Sequence, residues 1–590
     1  MKKTNRFSCA LIAVLMLFSL TACATAPSAT SQAPATTTVA LASASVAASV
    51  AATASTDSAT ATPSVPATDN IMSPYGKYPE TVTISIPKLA SADPRFVEGD
   101  TIGDNCMTRI LLDRLNVKVK IAWEVGGLAS EYTNKLSLNI AANDLPDAFT
   151  LSATTDYLVY KQLFENDMLA DMTDAYAKCA GDYMHKTFSS FQEKNLAPFT
   201  EAGKLMGIAG GFYGYENNLL WIRQDWLKEC KLEAPKTLAE LENVIKTFKA
   251  KNIGGKGNIG LVMEPKNPGS SNMYAATPIF GAFGAYPKTW IKDASGKVVW
   301  GSVAPEMKAG LQVLADWYKD GLIDKQFPTR TASGAVDALI KDGQTGIFFA
   351  PWWSTYVLFP DFPKNNPTGE VMAYNAPLDA NGKFNIIWPG PANTVMLVNK
   401  KFAHPEAVVK MLNVEFDAWR GIDPALNALV KPSMDKGTDW TYLFPTGGVN
   451  LEFSDCIPNV GYLIKNYIDN GKMEGKPGVF HSAFDKQLAI DTKAYVDTKS
   501  LVNSGWIQYY GRYFASNIVN APEVKITYPA FSFSTKSMVD LKANLDKMED
   551  EVILQIIVGD KPVAYFDTFV ADWYKQGGDV ITKEVTDLVK

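Results

Sequence analysis

The amino-acid order predicts an α/β fold with a helical C-terminal region, and three observations carry that expectation. Val82, Ile84 and Ile86 alternate with Thr83 and Ser85, and Val117, Val119 and Ile121 alternate with Lys118 and Lys120. Such period-2 patterns belong to strands with one buried face. Between the two runs, Met107, Ile110, Leu111 and Leu115 share one side of an expected helix over about 104–115. The final hundred residues keep mostly helical spacing, up to a last expected helix at 580–589.

Further along, a helix is expected over about 130–142 and a short strand over 147–151. Strand–helix alternation of this kind predicts a parallel sheet flanked by helices, with ligands at the carboxyl ends of its strands. After Gly210-Gly211 the pattern begins again, with a strand expected at 219–223, a short helix at 225–230, and a longer helix opened by Pro235-Lys236-Thr237. Thr237 and Glu240 fit a capping box, in which each side chain takes a backbone N–H of the first turn. Leu238, Leu241, Ile245 and Phe248 give that helix its apolar stripe. Helices are expected near 309–319 and 336–341, strands at 345–349 and 394–398, and a helix started by Pro405.

Composition limits the function classes. The 590 residues carry a formal net charge of −6, with 47% hydrophobic and 20% charged side chains. These values describe a globular chain, not a disordered or polytopic membrane one. The acidic balance argues against a nucleic-acid partner. Three histidines (His185, His404 and His481) leave little room for a histidine-based metal centre, and neither a metal nor a cofactor is expected. Gly255-Lys256-Gly257-Asn258-Ile259-Gly260 spells a dinucleotide fingerprint by letter, but it follows a helix and precedes a strand, the reverse of the required order. It reads as a loop.

The first 22 residues have the form of a secretory signal: Lys2, Lys3 and Arg6, then an apolar run from Ala10 to Leu20. The run ends in Leu20-Thr21-Ala22-Cys23, which resembles a bacterial lipobox; cleavage before Cys23 and lipidation of its thiol are expected. The competing reading is an ordinary signal peptide with an incidental cysteine. Residues 23–74 are then the lipidated cysteine and an Ala/Thr/Ser-rich tether too poor in large apolar side chains to fold. Residues 75–590 form the body. Cys106, Cys179, Cys230 and Cys456 include no C-x-x-C pair, and the sequence leaves their pairing open.

Several segments of the body resemble the extracellular solute-binding proteins of family 1 that serve ABC importers, most closely the large Gram-positive lipoprotein branch. They are Asn143-Asp144-Leu145-Pro146-Asp147-Ala148-Phe149, Leu220-Trp221-Ile222-Arg223-Gln224-Asp225-Trp226-Leu227 with Ala234-Pro235-Lys236-Thr237, Gly346-Ile347-Phe348-Phe349-Ala350-Pro351-Trp352-Trp353, and Gly577-Gly578-Asp579-Val580-Ile581. The resemblance implies a two-lobe, periplasmic-binding-protein-like fold with a hinge and an interlobe cleft that closes on ligand. It places lobe 1 at about 75–210 plus a segment near 370–420, and lobe 2 at about 211–369 plus 421–590. It further implies a monomer without catalytic residues, anchored by its lipid to the outer face of the cytoplasmic membrane. There it captures a carbohydrate and delivers it to the transmembrane subunits of an ABC permease. One departure stands out: where many relatives carry a calcium loop, residues Lys249–Asn258 lack the spaced carboxylates such a site needs.

Candidate ligand-binding residues follow from the two readings together. Trp352 and Trp353 leave an expected strand at its carboxyl end, and an indole face suits the C–H-rich face of a pyranose. The alternative is a core role for both. Thr155 and Asp156 follow the strand after Pro146-Asp147, where the resemblance implies an acidic residue that accepts from sugar hydroxyls; N-capping of the next helix by Asp156 competes. Tyr213, Tyr215 and Trp388 fall on the expected hinge. Trp226 and Trp317 read as core. Two other functions fit the aromatics and carboxylates: a secreted carbohydrate-active enzyme, and a receptor for a peptide or other solute on the same fold.

Overall fold

The computed structural model describes residues 70–590 apart from 91–92, 127–128, 193, 212–213, 266–272, 331–333, 389, 391, 502–503 and 590. The signal segment, Cys23, most of the tether and Tyr213 lie outside the described residues. Among those described, no helix is long and apolar enough to cross a membrane.

The first strand, Val82–Ala90, pairs in parallel with Val117–Gly126, with the helix Cys106–Leu115 between them in sequence. Asn105 starts that helix: its side chain accepts from the N–H groups of Met107 and Thr108, and Thr108 returns the bond to the Asn105 backbone. The helix Ala129–Ala142 and the strand Ala148–Ser152 follow as expected. The single parallel sheet does not. Ala148–Ser152 lies beside the first strand but joins it through a side chain, the Asp147 carboxylate accepting from the backbone N–H and hydroxyl of Ser85 at 2.8 and 2.7 Å. The ladder of the strand is antiparallel, with Ala392–Val398. Ala392–Val398 in turn pairs antiparallel with Ile208–Gly211.

Beyond the first lobe, Leu219–Arg223 is the central strand of a second sheet, flanked antiparallel by Ile347–Ala350 and Val371–Tyr374. The helix Leu238–Ala250 opens with the expected capping box, Glu240 accepting from the Thr237 N–H at 3.0 Å and donating its own N–H to the threonine hydroxyl at 3.3 Å. Its Leu241, Val244, Ile245 and Phe248 are buried with Trp226 and Trp317 in the second lobe's core. The C-terminal region is helical at Cys456–Asn470, Ala483–Thr498, Lys536–Val558, Tyr565–Trp573 and Asp579–Leu588. It also holds a strand, Val524–Thr527, parallel to Phe384–Ile387.

The cores redraw the expected lobe boundaries. One core takes residues from Tyr78 to Ala209 and from Ala392 to Leu451; the others take residues from Tyr215 to Trp388 and from Ile457 to Val585. The segment expected near 370–420 therefore moves to 392–451. The physical reasons are local. Val371–Tyr374 is bound as an edge strand to Leu219–Arg223. The stretch after residue 421 is tied to the first lobe by the buried Lys88 ammonium, which donates to the carbonyls of Phe444 and Pro445 at 3.2 and 2.9 Å.

Candidate functional site

Three stretches cross between the cores, within Gly211–Leu219, Ile387–Ala392 and Leu451–Ile457, and the sheets end on them. Strand register fixes which ends. In the first lobe, Gly211 pairs with Ala392 and Ser152 with Thr394, so the carboxyl ends of Ala148–Ser152 and Ile208–Gly211 face the crossings. In the second, Ala350 pairs with Leu219 and Tyr374 with Leu220. The loops after Ser152 and after Ala350 thus leave their sheets on the hinge side, and they carry Thr155, Asp156, Trp352 and Trp353.

The crossings touch one another closely. The Gly211 N–H donates to the Asn450 carbonyl at 3.0 Å, and a Cβ on Gly211 would lie 2.3 Å from the Phe191 ring. Gly214 has φ +56°, and a Cβ there would meet the Trp388 ring at 2.5 Å. Only glycine lets the first crossing pass under that indole. Tyr215 then meets Trp388 edge to face, ring centres 5.1 Å apart, and Trp388 meets Tyr528 at 6.0 Å.

Tyr215, Trp352 and Trp388 belong to one buried core, and Trp353 packs against it. The two adjacent tryptophans differ in surroundings. Trp352 is only 4% exposed, with the Arg512 guanidinium 4.4 Å from its ring centre; Trp353 is partly buried and keeps exposed surface. Both indole Nε1 atoms are buried without an acceptor among the described residues. A buried N–H left in that state loses its water without replacement, at about 1–3 kcal/mol each.

Thr155 is exposed and Asp156 half-buried, on the first lobe's loop. Asp156 does not cap the helix Tyr157–Glu165; its carboxylate accepts from the Ser152 N–H at 3.0 Å. Burial raises its pKa, and that hydrogen bond opposes the rise. The loop is met from the second lobe by the segment after Val524–Thr527: Phe533 stacks on Tyr157, and the Ser534 hydroxyl donates to the Thr154 carbonyl at 3.4 Å.

Two polar groups on the first crossing were not expected from the sequence. Among the described residues, neither the amide donor nor the carbonyl acceptor of the Asn217 side chain has a partner, although both atoms are buried. Glu216 is half-buried, and burial raises its pKa. Ligand pockets are mostly apolar and aromatic, with a few polar groups that fix the orientation of what they bind. Their signal was a polar Glu-Asn-Asn run between the aromatic Phe212–Tyr215 stretch and the apolar Leu219–Ile222 strand. Among the described residues no His/Cys/Asp/Glu group has the arrangement to hold a metal ion.

Comparison with known proteins agrees with this architecture. A polygalacturonan/rhamnogalacturonan-binding protein of Bacillus subtilis is 23% identical over 484 residues, covering 80% of this chain and 86% of the relative. Among solved structures, an HMO-binding, ABC-transporter-associated solute-binding protein from Bifidobacterium longum infantis superposes with a TM-score of 0.57 at 14% identity, covering 86% of this chain and 98% of that one. An alginate-binding protein solved without calcium ion gives a TM-score of 0.53 at 18% identity, covering 87% and 98%. These likenesses show a two-lobe solute-binding fold. The model of the bacterial extracellular solute-binding protein family matches residues 113–447, more than half of the sequence, and the chain belongs to that family.

Proposed function

We propose that this protein captures a carbohydrate in the cleft at its hinge and delivers it to the membrane subunits of an ABC importer, without altering it chemically. The observation that carries the reading is the Tyr215–Trp388 ring pair on the crossings, beside the buried Asn217 amide, with Trp353 on the loop that leaves the second lobe's sheet on the same side. Aromatic faces take the apolar side of a pyranose, and unpaired buried donors and acceptors take its hydroxyls. The relatives named for polygalacturonan and alginate binding support a saccharide over a peptide. Leu20-Thr21-Ala22-Cys23 supports attachment to the outer face of the cytoplasmic membrane through lipid on Cys23, with the protein acting as a monomer.

The test is a thermal-shift screen of the full-length protein in detergent against neutral and acidic oligosaccharides. Binding to the native state raises the melting temperature by mass action. A saccharide that stabilises the protein and is recovered unchanged after prolonged incubation supports the reading. Stabilisation by peptides alone, or recovery of cleaved sugar, would replace it.

A further inference from the structure

Arg512 occupies the π-helical turn Tyr509–Ala515, a backbone form often found at functional sites. Gly511 lets that turn approach the loop after Ile347–Ala350, since a Cβ there would lie 2.6 Å from the Thr355 hydroxyl. The Arg512 guanidinium covers one face of Trp352, and its Nε donates to the Tyr356 hydroxyl at 3.5 Å. Arg95, Arg109, Arg114, Arg223, Arg330 and Arg420 all make ion pairs with carboxylates. Arg512 alone among the described arginines forms no ion pair with a described carboxylate. On the first lobe, Lys194 is exposed and in no ion pair with a described residue, its ammonium 5.4 Å from the centre of the Tyr528 ring that adjoins Trp388. In a chain of net charge −6, one cation with no described carboxylate partner thus lies over Trp352 and another over the ring next to Trp388.

We propose that the cleft takes a saccharide bearing carboxylate groups, a uronate, with Arg512 as the partner of one carboxylate and Trp353 against a pyranose face. The inference rests on the saccharide reading above and narrows it. A guanidinium is a planar fork of donors that matches a carboxylate with two parallel hydrogen bonds. Stacking on Trp352 holds that fork in one plane before ligand arrives, so less freedom is lost on binding. A neutral hexose offers a hydroxymethyl group at the same carbon and gains neither the charge nor the second bond.

The test compares, by calorimetry on the full-length protein in detergent at low salt, trisaccharides of galacturonate and mannuronate with their carboxyl-reduced counterparts. Each pair keeps ring and linkage and differs only in the acid group. At least one uronate should bind about tenfold or more tightly than its reduced counterpart, as one charge-assisted contact implies. Arg512→Gln should remove that ratio while leaving affinity for the reduced sugar within about twofold; Arg512→Lys, which keeps the charge and loses the fork, should retain part of it. Added salt should weaken the wild-type uronate complex and spare the neutral one, a readout that needs no variant. Equal binding of both members of every pair, or an Arg512→Gln loss shared equally by both, overturns the inference and leaves the saccharide reading standing. If neither series binds, the uronate inference falls, and the saccharide reading is decided by the wider thermal-shift screen.

Discussion

Phe533 stacks on Tyr157 with ring centres 4.6 Å apart and planes 29° from parallel. Tyr157 begins the helix beside Asp156 in the first lobe, and Phe533 lies between the strand Val524–Thr527 and the helix Lys536–Val558 of the second. One aromatic pair therefore joins the lobes beside the loop that carries Thr155 and Asp156. Any rotation of one lobe on the other alters it.

A double-mutant cycle with Tyr157→Leu and Phe533→Leu should return a coupling of about 0.5–1.5 kcal/mol, the usual excess of an aromatic pair over its burial. Urea unfolding of the four proteins measures it. Additive effects would mean that the rings are merely adjacent.

Trp352→Ala and Trp353→Ala should separate. Trp352 is buried under Arg512, and its truncation should lower folding stability by about 3–5 kcal/mol. Trp353 keeps exposed surface, so its truncation should act mainly on saccharide affinity, by about 2 kcal/mol or roughly thirtyfold. Melting curves and calorimetry on both variants decide. Unchanged saccharide binding by Trp353→Ala would remove it from the site.

Stability should also carry a pH signature from Asp417. Its carboxylate accepts from the Tyr75 hydroxyl at 2.6 Å, but burial dominates and pushes its pKa up to about 6. A folded-state pKa above the unfolded value means that the folded chain holds the proton more tightly. The resulting stabilisation is complete below about pH 4 and lost as pH rises through about 6. Relative to Asp417→Asn, the wild type should lose up to about 3 kcal/mol between those limits. Urea unfolding of both proteins at pH 4 and 6.5 checks the sign, and a wild type that gains relative to the variant would reverse the assignment.

Cys23→Ser should leave the protein uncleaved at that position or free of the membrane fraction, as the sequence Leu20-Thr21-Ala22-Cys23 implies. Mass spectrometry of the mature protein reads the result directly. An unmodified Cys23 at the N-terminus would end the lipid-anchor reading.

Elements whose pattern is local were legible in the sequence. The strand Leu219–Arg223 lies where its apolar run ends, and Thr237 with Glu240 fixes the start of Leu238–Ala250 through bonds within one turn. Pairing across long separations was not legible. Nothing in residues 148–152 tells that their partner is the distant Ala392–Val398 and not the neighbouring first strand. The site shows the same division. Trp352, Trp353, Tyr215 and Trp388 could be named from residue type and position, whereas Asn217 and Arg512 stand out only by the partners they lack. In sequence, Arg512 is one cation in the aromatic run Tyr509-Tyr510-Gly511-Arg512-Tyr513-Phe514.

The three crossings bear on how the chain reaches this state. The first lobe's central strand, Ala392–Val398, is synthesised only after the entire Leu219–Ile387 portion of the second lobe, and the second lobe in turn awaits Cys456–Leu588. Neither lobe is a contiguous stretch, so neither can complete its sheet and core as a vectorial unit while the chain is still emerging. A chain ending near residue 380 would leave Ala148–Ser152 and Ile208–Gly211 as open strand edges, the surfaces most prone to pair with another molecule. For a protein read as exported, late closure of both lobes suits a chain that must stay unfolded until it has crossed the membrane.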